Sequence, residues 1–254
     1  MLGWSINLFR VRGIQLSVHA SFFLLLAWVG YEGWQLDHQW LGIVWSVGIF
    51  LAFFGCVVLH EFGHSFTAMH FGIRVRRILL MPIGGMAEFD SIPREPMREL
   101  LITLAGPAVN FAIAAFLWLF VDVVSGPDYP ATAVGFAQLL LYANLVMGCF
   151  NLLPVFPMDG GRIFRALLAW RKPYLQATFL AATVGKVLAV LAAIIAIFWY
   201  ESYLTAGLFA FIYLAGEAEY RAVKRRERDD EHWRAMLARY YATPPPNEPP
   251  ILSR

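Results

Sequence analysis

The sequence predicts an all-α polytopic membrane protein, with six transmembrane helices and a small membrane-associated β-hairpin between spans two and three. Of its 254 residues, 59% are hydrophobic and only 15% are charged, against roughly 45–50% and 25% in soluble domains. The mean hydropathy is +0.58. Most of the surface must therefore meet a lipid bilayer. The net charge of +2 gives no reason to expect a nucleic-acid partner.

Six apolar stretches are candidates for crossing a bilayer, because a hydrocarbon core about 30 Å thick needs about 20 apolar helical residues. The predicted spans cover 18–35, 41–70, 100–121, 132–153, 178–199 and 203–217. The last of them is the shortest. The first apolar run lacks a small-residue cleavage site, so we expect it to stay in the mature protein.

Basic and acidic residues alternate between the segments that connect these spans. All but one of the 20 arginines and lysines fall in 1–17, in the segments after spans two and four, and in the tail; the exception, Lys186 in span five, is close enough to that side to snorkel to it. The other segments carry acids, namely Glu32, Asp37, Asp122, Asp128 and Glu201. Basic residues near span ends are held on the cytoplasmic side. We therefore expect both termini to be cytoplasmic.

The chain divides into two predicted parts. Residues 1–217 form the six-span domain, and 218–254 form a basic cytoplasmic tail. The tail begins as a mixed-charge helix that lies on the lipid surface, packs against a partner or is simply solvated. After Tyr241 the sequence TPPPNEPPILSR is proline-rich and is expected to be disordered.

Three ionisable residues end the long apolar run of span two. His60, Glu61 and His64 follow about 19 uncharged residues, at a depth where such groups cost several kcal/mol unless they are paired or coordinated. On a helix, His60 and His64 point from one face and can share one zinc ion. Glu61 beside them has the position of a general base. The HExxH pattern therefore predicts a catalytic metal.

A catalytic zinc normally takes three protein ligands. His70 has the spacing of the third histidine of metzincins, but Thr67 stands where those proteins have a glycine that turns the chain. On a continuing helix, six residues beyond His64 is about 600° of rotation. His70 is therefore expected on another face, at the membrane interface.

Asp159 is the other acid at membrane depth. Pro154 and Pro157 must end the fourth helix before it, and Gly160 and Gly161 permit an unusual turn after it. The alternating topology brings the ends of spans two and four to the same side, so Asp159 can reach the two histidines as third ligand. The alternative is that Asp159 only caps the helix that follows.

Two motifs together resemble the site-2 protease family of intramembrane zinc metalloproteases. They are HEFGH within an apolar span and NLLPVFPMDGGR about a hundred residues later, which contains Asn151 and Asp159. MPIGGMAEF and LAGPAVNF add to the likeness, which covers about residues 10 to 216. Many relatives with this layout also carry paired cystathionine-synthase-type domains, whereas here the tail follows. The resemblance implies a zinc endopeptidase in a prokaryotic cell (inner) membrane that cuts membrane-spanning protein substrates, with its site toward the cytoplasm.

Several residues receive roles in such a site. Glu61 would take the proton of the attacking water and pass it to the leaving amine. Asn151 and Asn144 are candidates for holding the scissile carbonyl or the substrate backbone, although for Asn144 an interhelical hydrogen bond is an equal alternative. Asn110 is assigned to packing. The segment from 73 to 89 reads as a hairpin around Gly85 that could hold an extended substrate by β-addition.

Other functions remain open at this point. A metal-ion transporter would also use charged groups and broken helices at membrane depth. However, Glu61 and Asp159 are the two acids at that depth, whereas a metal transporter needs several carboxylates or histidines along its route. A di-iron hydroxylase would need more than the 6 histidines present. A catalytically silent scaffold would not need the base. The sequence allows an oligomer and names no substrate.

Overall fold

The computed structural model describes residues 4–82, 84–90, 93–124 and 131–242. Within these ranges the chain forms seven α-helices and four β-strands. In chain order the elements are β1 (Ser5–Val11), β2 (Ile14–His19), α1 (Ala20–Asp37), α2 (Trp40–His70), β3 (Val75–Met81), β4 (Gly84–Phe89), α3 (Pro96–Val124), α4 (Ala131–Asn151), α5 (Asp159–Ala169), α6 (Tyr174–Phe198) and α7 (Tyr203–Ala242).

Four of the described helices, α2, α3, α4 and α6, are long and apolar enough to cross a membrane. They correspond to the predicted spans two to five, although α4 ends at Asn151 and α6 at Phe198, just before the predicted ends. The outward side chains on α6, such as Leu188, Leu191 and Ile195, are large and apolar, as a lipid-facing surface requires. The protein is therefore an integral membrane protein. The predicted first span is in α1, which carries Glu32 near its end, and the predicted sixth is the start of α7, whose apolar part ends at Gly216.

The predicted β-hairpin is confirmed, because β3 and β4 pair antiparallel. It is, however, half of a four-stranded sheet with the order β1-β2-β3-β4. The first two strands, in a region read only as the flank of span one, were not predicted. In β2 the apolar residues Ile14, Leu16 and Val18 alternate with polar ones and are buried. This is the period of a half-buried strand. The fold is mostly helical with a small sheet.

The sheet joins the start of the chain to the end of α2. Strand β2 pairs parallel with β3, and the α1–α2 helix pair is the connection between these strands. The buried side of the sheet, including Leu16 and Ile78, forms one apolar core with Phe54, Phe62 and Ala68 of α2. This core fixes the last turns of α2, which carry the HExxH residues.

The second half of the chain is built around the short helix α5. Helix α4 ends at Asn151, before Pro154 and Pro157, as predicted. Helix α5 packs against both α3 and α6, and α6 packs along α7. Helix α7 runs without a break across residue 217. The predicted proline-rich end and the acidic loop at Asp128 lie outside the described residues.

Candidate metal centre

His60, His64 and Asp159 come together from two helices. The Nε2 atoms of the two histidines are 3.0 Å apart, and each is 3.2 Å from Oδ2 of Asp159. All three residues are buried. The histidines are one turn apart on α2, and Asp159 is the first residue of α5. The structure thus brings together the three residues that the sequence predicted as metal ligands.

Hydrogen bonds behind the imidazoles fix which nitrogen carries the proton. Nδ1 of His64 lies 2.8 Å from the carbonyl oxygen of Ile102, which can only accept, so Nδ1 must donate. Nδ1 of His60 contacts Oδ1 of Asn110. In the neutral imidazoles, both Nε2 atoms then present their lone pairs toward Asp159. This is the arrangement of metal-binding histidines.

The direction of the Asn110 amide is itself set by a chain of hydrogen bonds. Nδ2 of Asn144 donates to the carbonyl of Leu140 at 2.8 Å, so Oδ1 of Asn144 is left to accept. Nδ2 of Asn110 donates to that oxygen at 2.9 Å. Oδ1 of Asn110 is thereby turned toward His60. The backbone carbonyl at the end of the chain thus determines the tautomer of the imidazole at its start.

The three residues fit a zinc ion. Oδ2 of Asp159 is buried and has no hydrogen-bond partner, and the Nε2 lone pairs of the neutral imidazoles face it at 3.2 Å. Three electron-pair donors in one buried place repel each other unless a cation joins them. Their ligand atoms all lie within 4.8 Å of one another, and two imidazoles with one carboxylate is a common catalytic zinc set.

Asp159 is not the N-cap of α5, because that position belongs to Met158, whose side chain makes no capping hydrogen bond. The prediction of an unusual turn at Gly160 and Gly161 is wrong. Gly160 is helical, without the positive φ that would favour glycine. A Cβ there would instead lie 2.1 Å from the carbonyl oxygen of Leu153. The glycine is needed because the loop before α5 packs directly on its first turn.

Helix α3 approaches the metal ligands at Gly106. A Cβ at this position would lie 2.2 Å from Nε2 of His64 and 2.8 Å from Cε1 of His60. At Gly63, one residue before His64, a Cβ would lie 2.7 Å from the carbonyl of Ala105. The two helices are therefore closely packed, almost backbone to backbone, beside the metal centre.

Glu61 lies between the histidines and the sheet. A Cβ at Gly85 of β4 would be 2.5 Å from Cγ of Glu61 and 3.0 Å from its Cδ. The predicted general base is thus in direct contact with the hairpin. Across the same hairpin Arg77 donates to Glu88 at 2.7 Å, and this hydrogen bond holds the pKa of the Glu88 carboxyl below its ordinary value.

The other predicted residues are more dispersed. Asn144 is fully buried and uses its amide in the interhelical chain described above, which favours that alternative over substrate contact. Asn151 is half-buried at the end of α4 and donates to the carbonyl of Met147 at 3.1 Å. His70, the exposed last residue of α2, contacts the Phe71 ring edge to face. Among the described residues it does not join the metal group.

Sequence reasoning missed two supports of the site. Asn110 was assigned to packing, yet it holds His60, and the Ile102 carbonyl holds His64. One signal was present for Asn110. It is a polar residue inside an apolar span, one turn after Gly106, and such residues tend to contact functional groups.

Comparison with known proteins identifies the family. The model of peptidase family M50 matches residues 48–137 and 126–194, which include the HExxH residues and Asp159. The chain belongs to this family of zinc metalloproteases.

Individual relatives support the same assignment. Over 227 residues, 88% of its length, the chain is 39% identical to zinc metalloprotease MJ0392 of Methanocaldococcus jannaschii. It is 27% identical over 213 residues to stage IV sporulation protein FB of Bacillus subtilis, covering 80% of this chain and 70% of that protein. The chain spans 62% of the length of MJ0392 and 49% of the length of the putative zinc metalloprotease Rip3 of Mycobacterium tuberculosis.

A solved structure has the same architecture. The site-2 protease from Methanocaldococcus jannaschii superposes with a TM-score of 0.59 at 35% identity, covering 85% of this chain and 95% of that one. The helices and the sheet therefore form a site-2 protease fold.

Proposed function

We propose that this protein is an intramembrane zinc metalloprotease that hydrolyses peptide bonds within or near membrane-spanning segments of other proteins. The observation that carries the proposal is the convergence of His60, His64 and Asp159 on one buried position, with Glu61 beside it. Membership of peptidase family M50 supports the same reaction.

Each residue of the centre has one task. His60, His64 and Asp159 hold zinc, which when bound lowers the pKa of a water ligand toward about 7 and polarises a carbonyl. Glu61 takes the proton from the attacking water and gives it to the amine that leaves. Asn110 and the Ile102 carbonyl keep the imidazoles in the tautomer that binds metal.

The β4 strand is proposed to hold the substrate. In the described sheet it is an edge strand, paired only with β3, so its free backbone groups can accept an extended peptide. Gly85 on this strand touches Glu61. A peptide added to β4 would therefore run past the general base. Because a helix hides its peptide groups, the substrate must first unwind, and helix-weakening residues favour this.

Asn151 is a second candidate for substrate contact, since it lies half-buried where α4 gives way to the loop before Asp159. For Asn144 we propose support of the Asn110 amide, because its Oδ1 accepts from Asn110 and its Nδ2 donates to the Leu140 carbonyl.

The proposed topology has six spans, with α1 and the first part of α7 added to the four long apolar helices. Both termini and the metal centre are then on the cytoplasmic side, because basic residues cluster there. The division into residues 1–217 and 218–254 follows the change from apolar to charged sequence within α7.

The test uses the full chain reconstituted in liposomes with a single-span reporter that carries glycine or proline in its span. We expect about one zinc per chain and cleavage of the reporter. Glu61→Gln should keep the zinc and slow cleavage by about 10²–10⁴-fold, the usual contribution of a general base. Glu32→Gln, on α1, is the control and should change neither. Unaltered cleavage by Glu61→Gln would contradict the mechanism.

A further inference from the structure

A second buried cluster of charges lies beside the metal centre, around Arg165 of α5. This arginine is 1% exposed. Its Nε donates to Oε1 of Glu99 at 2.9 Å, and its Nη1 donates to Oε1 of Glu219 at 2.7 Å. The rings of Phe156 and Tyr174 lie 5.2 and 5.0 Å from its Cζ. No step of the proposed reaction uses these residues.

The cluster joins three parts of the molecule. Glu99 belongs to the first turn of α3, Arg165 to α5 and Glu219 to α7. Helix α3 also carries Gly106 and Asn110, which contact the histidines. The guanidinium has a planar fork of donors, so it fixes the direction of its partners as well as their distance.

Helix α5 connects this cluster to the metal ligand. It has 11 residues, with Asp159 first. Arg165 comes six residues later, which is about 9 Å along the axis and about 120° around it. A short rigid helix held at Arg165 cannot turn or slide without moving Asp159. Loss of Glu219 would leave Arg165 paired with Glu99 alone, so α5 would keep its link to α3 and lose its link to α7.

We propose that Arg165 is a positioning residue for Asp159, and that Glu219 makes α7 part of the support of the metal centre. The inference rests on the proposed zinc site. The charged half of α7 extends beyond the predicted end of span six. The inference therefore means that a change in α7 alters the affinity of the protein for zinc.

Helix α7 offers a matched control two residues away. Glu217 has the same exposed side-chain fraction as Glu219, 26% against 27%. It also forms ion pairs of the same length, with Lys186 at 2.8 Å and Arg221 at 2.7 Å. However, these partners belong to α6 and to α7 itself. Loss of Glu217 therefore weakens the packing of α7 without touching α5.

The experiment compares Glu219→Gln with Glu217→Gln in the full-length protein in detergent. Zinc retention is measured against a competing chelator, and the visible absorption spectrum is recorded after replacement of zinc by Co²⁺. We expect Glu219→Gln to weaken zinc binding by about 10–100-fold, as for residues that support a ligand, and to change the Co²⁺ spectrum. Glu217→Gln should retain zinc and the wild-type spectrum. Arg165→Lys, which keeps the charge but loses the fork, should resemble Glu219→Gln.

Two results would overturn the inference. One is equal zinc retention and equal spectra in Glu219→Gln and the wild type. The other is an equal loss in both α7 variants, because that would point to general loosening of the helix. In either case the proposed protease would stand if the wild type held zinc and cleaved its reporter. A wild-type protein that bound no zinc would overturn both proposals.

Discussion

Asn110 and Asn144, on neighbouring helices, are joined by one hydrogen bond of 2.9 Å whose direction is fixed. The Leu140 carbonyl can only accept from Asn144, so Asn144 must accept from Asn110, and Asn110 must present its oxygen to His60. A backbone group of α4 thus sets the tautomer of the neutral His60 imidazole on α2.

Replacing Asn110 by leucine should weaken zinc binding. The change removes the acceptor that keeps the proton on Nδ1 of His60. Nε2 can then carry the proton, and a protonated Nε2 cannot bind metal. Loss of such a support typically costs about 10–100-fold in metal affinity, which competition with a chelator measures. Asn151→Leu is the control, because Asn151 contacts neither histidine. Wild-type affinity in Asn110→Leu would remove this role.

Asp159→Ala should abolish stable zinc binding. Two histidines alone provide too few ligands, so the loss should exceed the roughly 10–100-fold expected of a supporting residue. Metal analysis of the purified protein measures it. His70→Ala should keep its zinc, since that exposed histidine is on the same helix as the ligands but is not in the metal group. If Asp159→Ala kept a full complement of metal, another residue would have to be the third ligand.

Gly106→Ala should also impair metal binding, by a steric clash alone. The added methyl group would lie 2.2 Å from Nε2 of His64, so the helices must separate or the imidazole must turn. Such overpacking costs about 1–3 kcal/mol, and we expect a loss of zinc affinity of that size by titration. Gly135→Ala on α4, where no atom lies within 4 Å, should have no effect. Equal affinities for the two variants would mean that α3 can adjust freely.

Gly85→Ala should separate catalysis from metal binding. Its methyl group would lie 2.5 Å from Cγ of Glu61 and push the base away from its position, while the ligands stay in place. A displacement of about 1 Å can cost about 100-fold in rate. We therefore expect a lower kcat/KM for the reporter at normal zinc content. Gly48→Ala, in open space on α2, serves as the comparison, and equal rates would argue against contact of the hairpin with the base.

The metal ligands could be predicted from the sequence because their relationship is mostly local. His60 and His64 share a face through helix geometry alone, and Asp159 followed from the alternation of spans. Asn110 could not be assigned in the same way. Its contact with His60 depends on the rotation and depth of α3 against α2, which the pattern of one helix does not contain.

The β-sheet shows a second limit of sequence reading. The hairpin was predicted because β3 and β4 are adjacent in the chain and separated by a turn. Strand β2 pairs instead with β3, across the whole α1–α2 helix pair. Its alternating residues Ile14, Leu16 and Val18 are a strand signal, but they lead directly into an apolar helix and merge with its pattern.

The parallel pairing of β2 with β3 ties the α1–α2 helix pair to the sheet. Helix α1 is tied to the sheet at its start, where Ala20 follows β2 directly and donates to the carbonyl of Trp4. Near its other end, Gly33 is pressed against Gly42 of α2. Because α1 is held at both ends, it cannot move away from α2 as a lateral gate would. If the protein cleaves membrane-spanning substrates as proposed, we expect them to enter from the lipid on the side of α6 and α7 and not past α1.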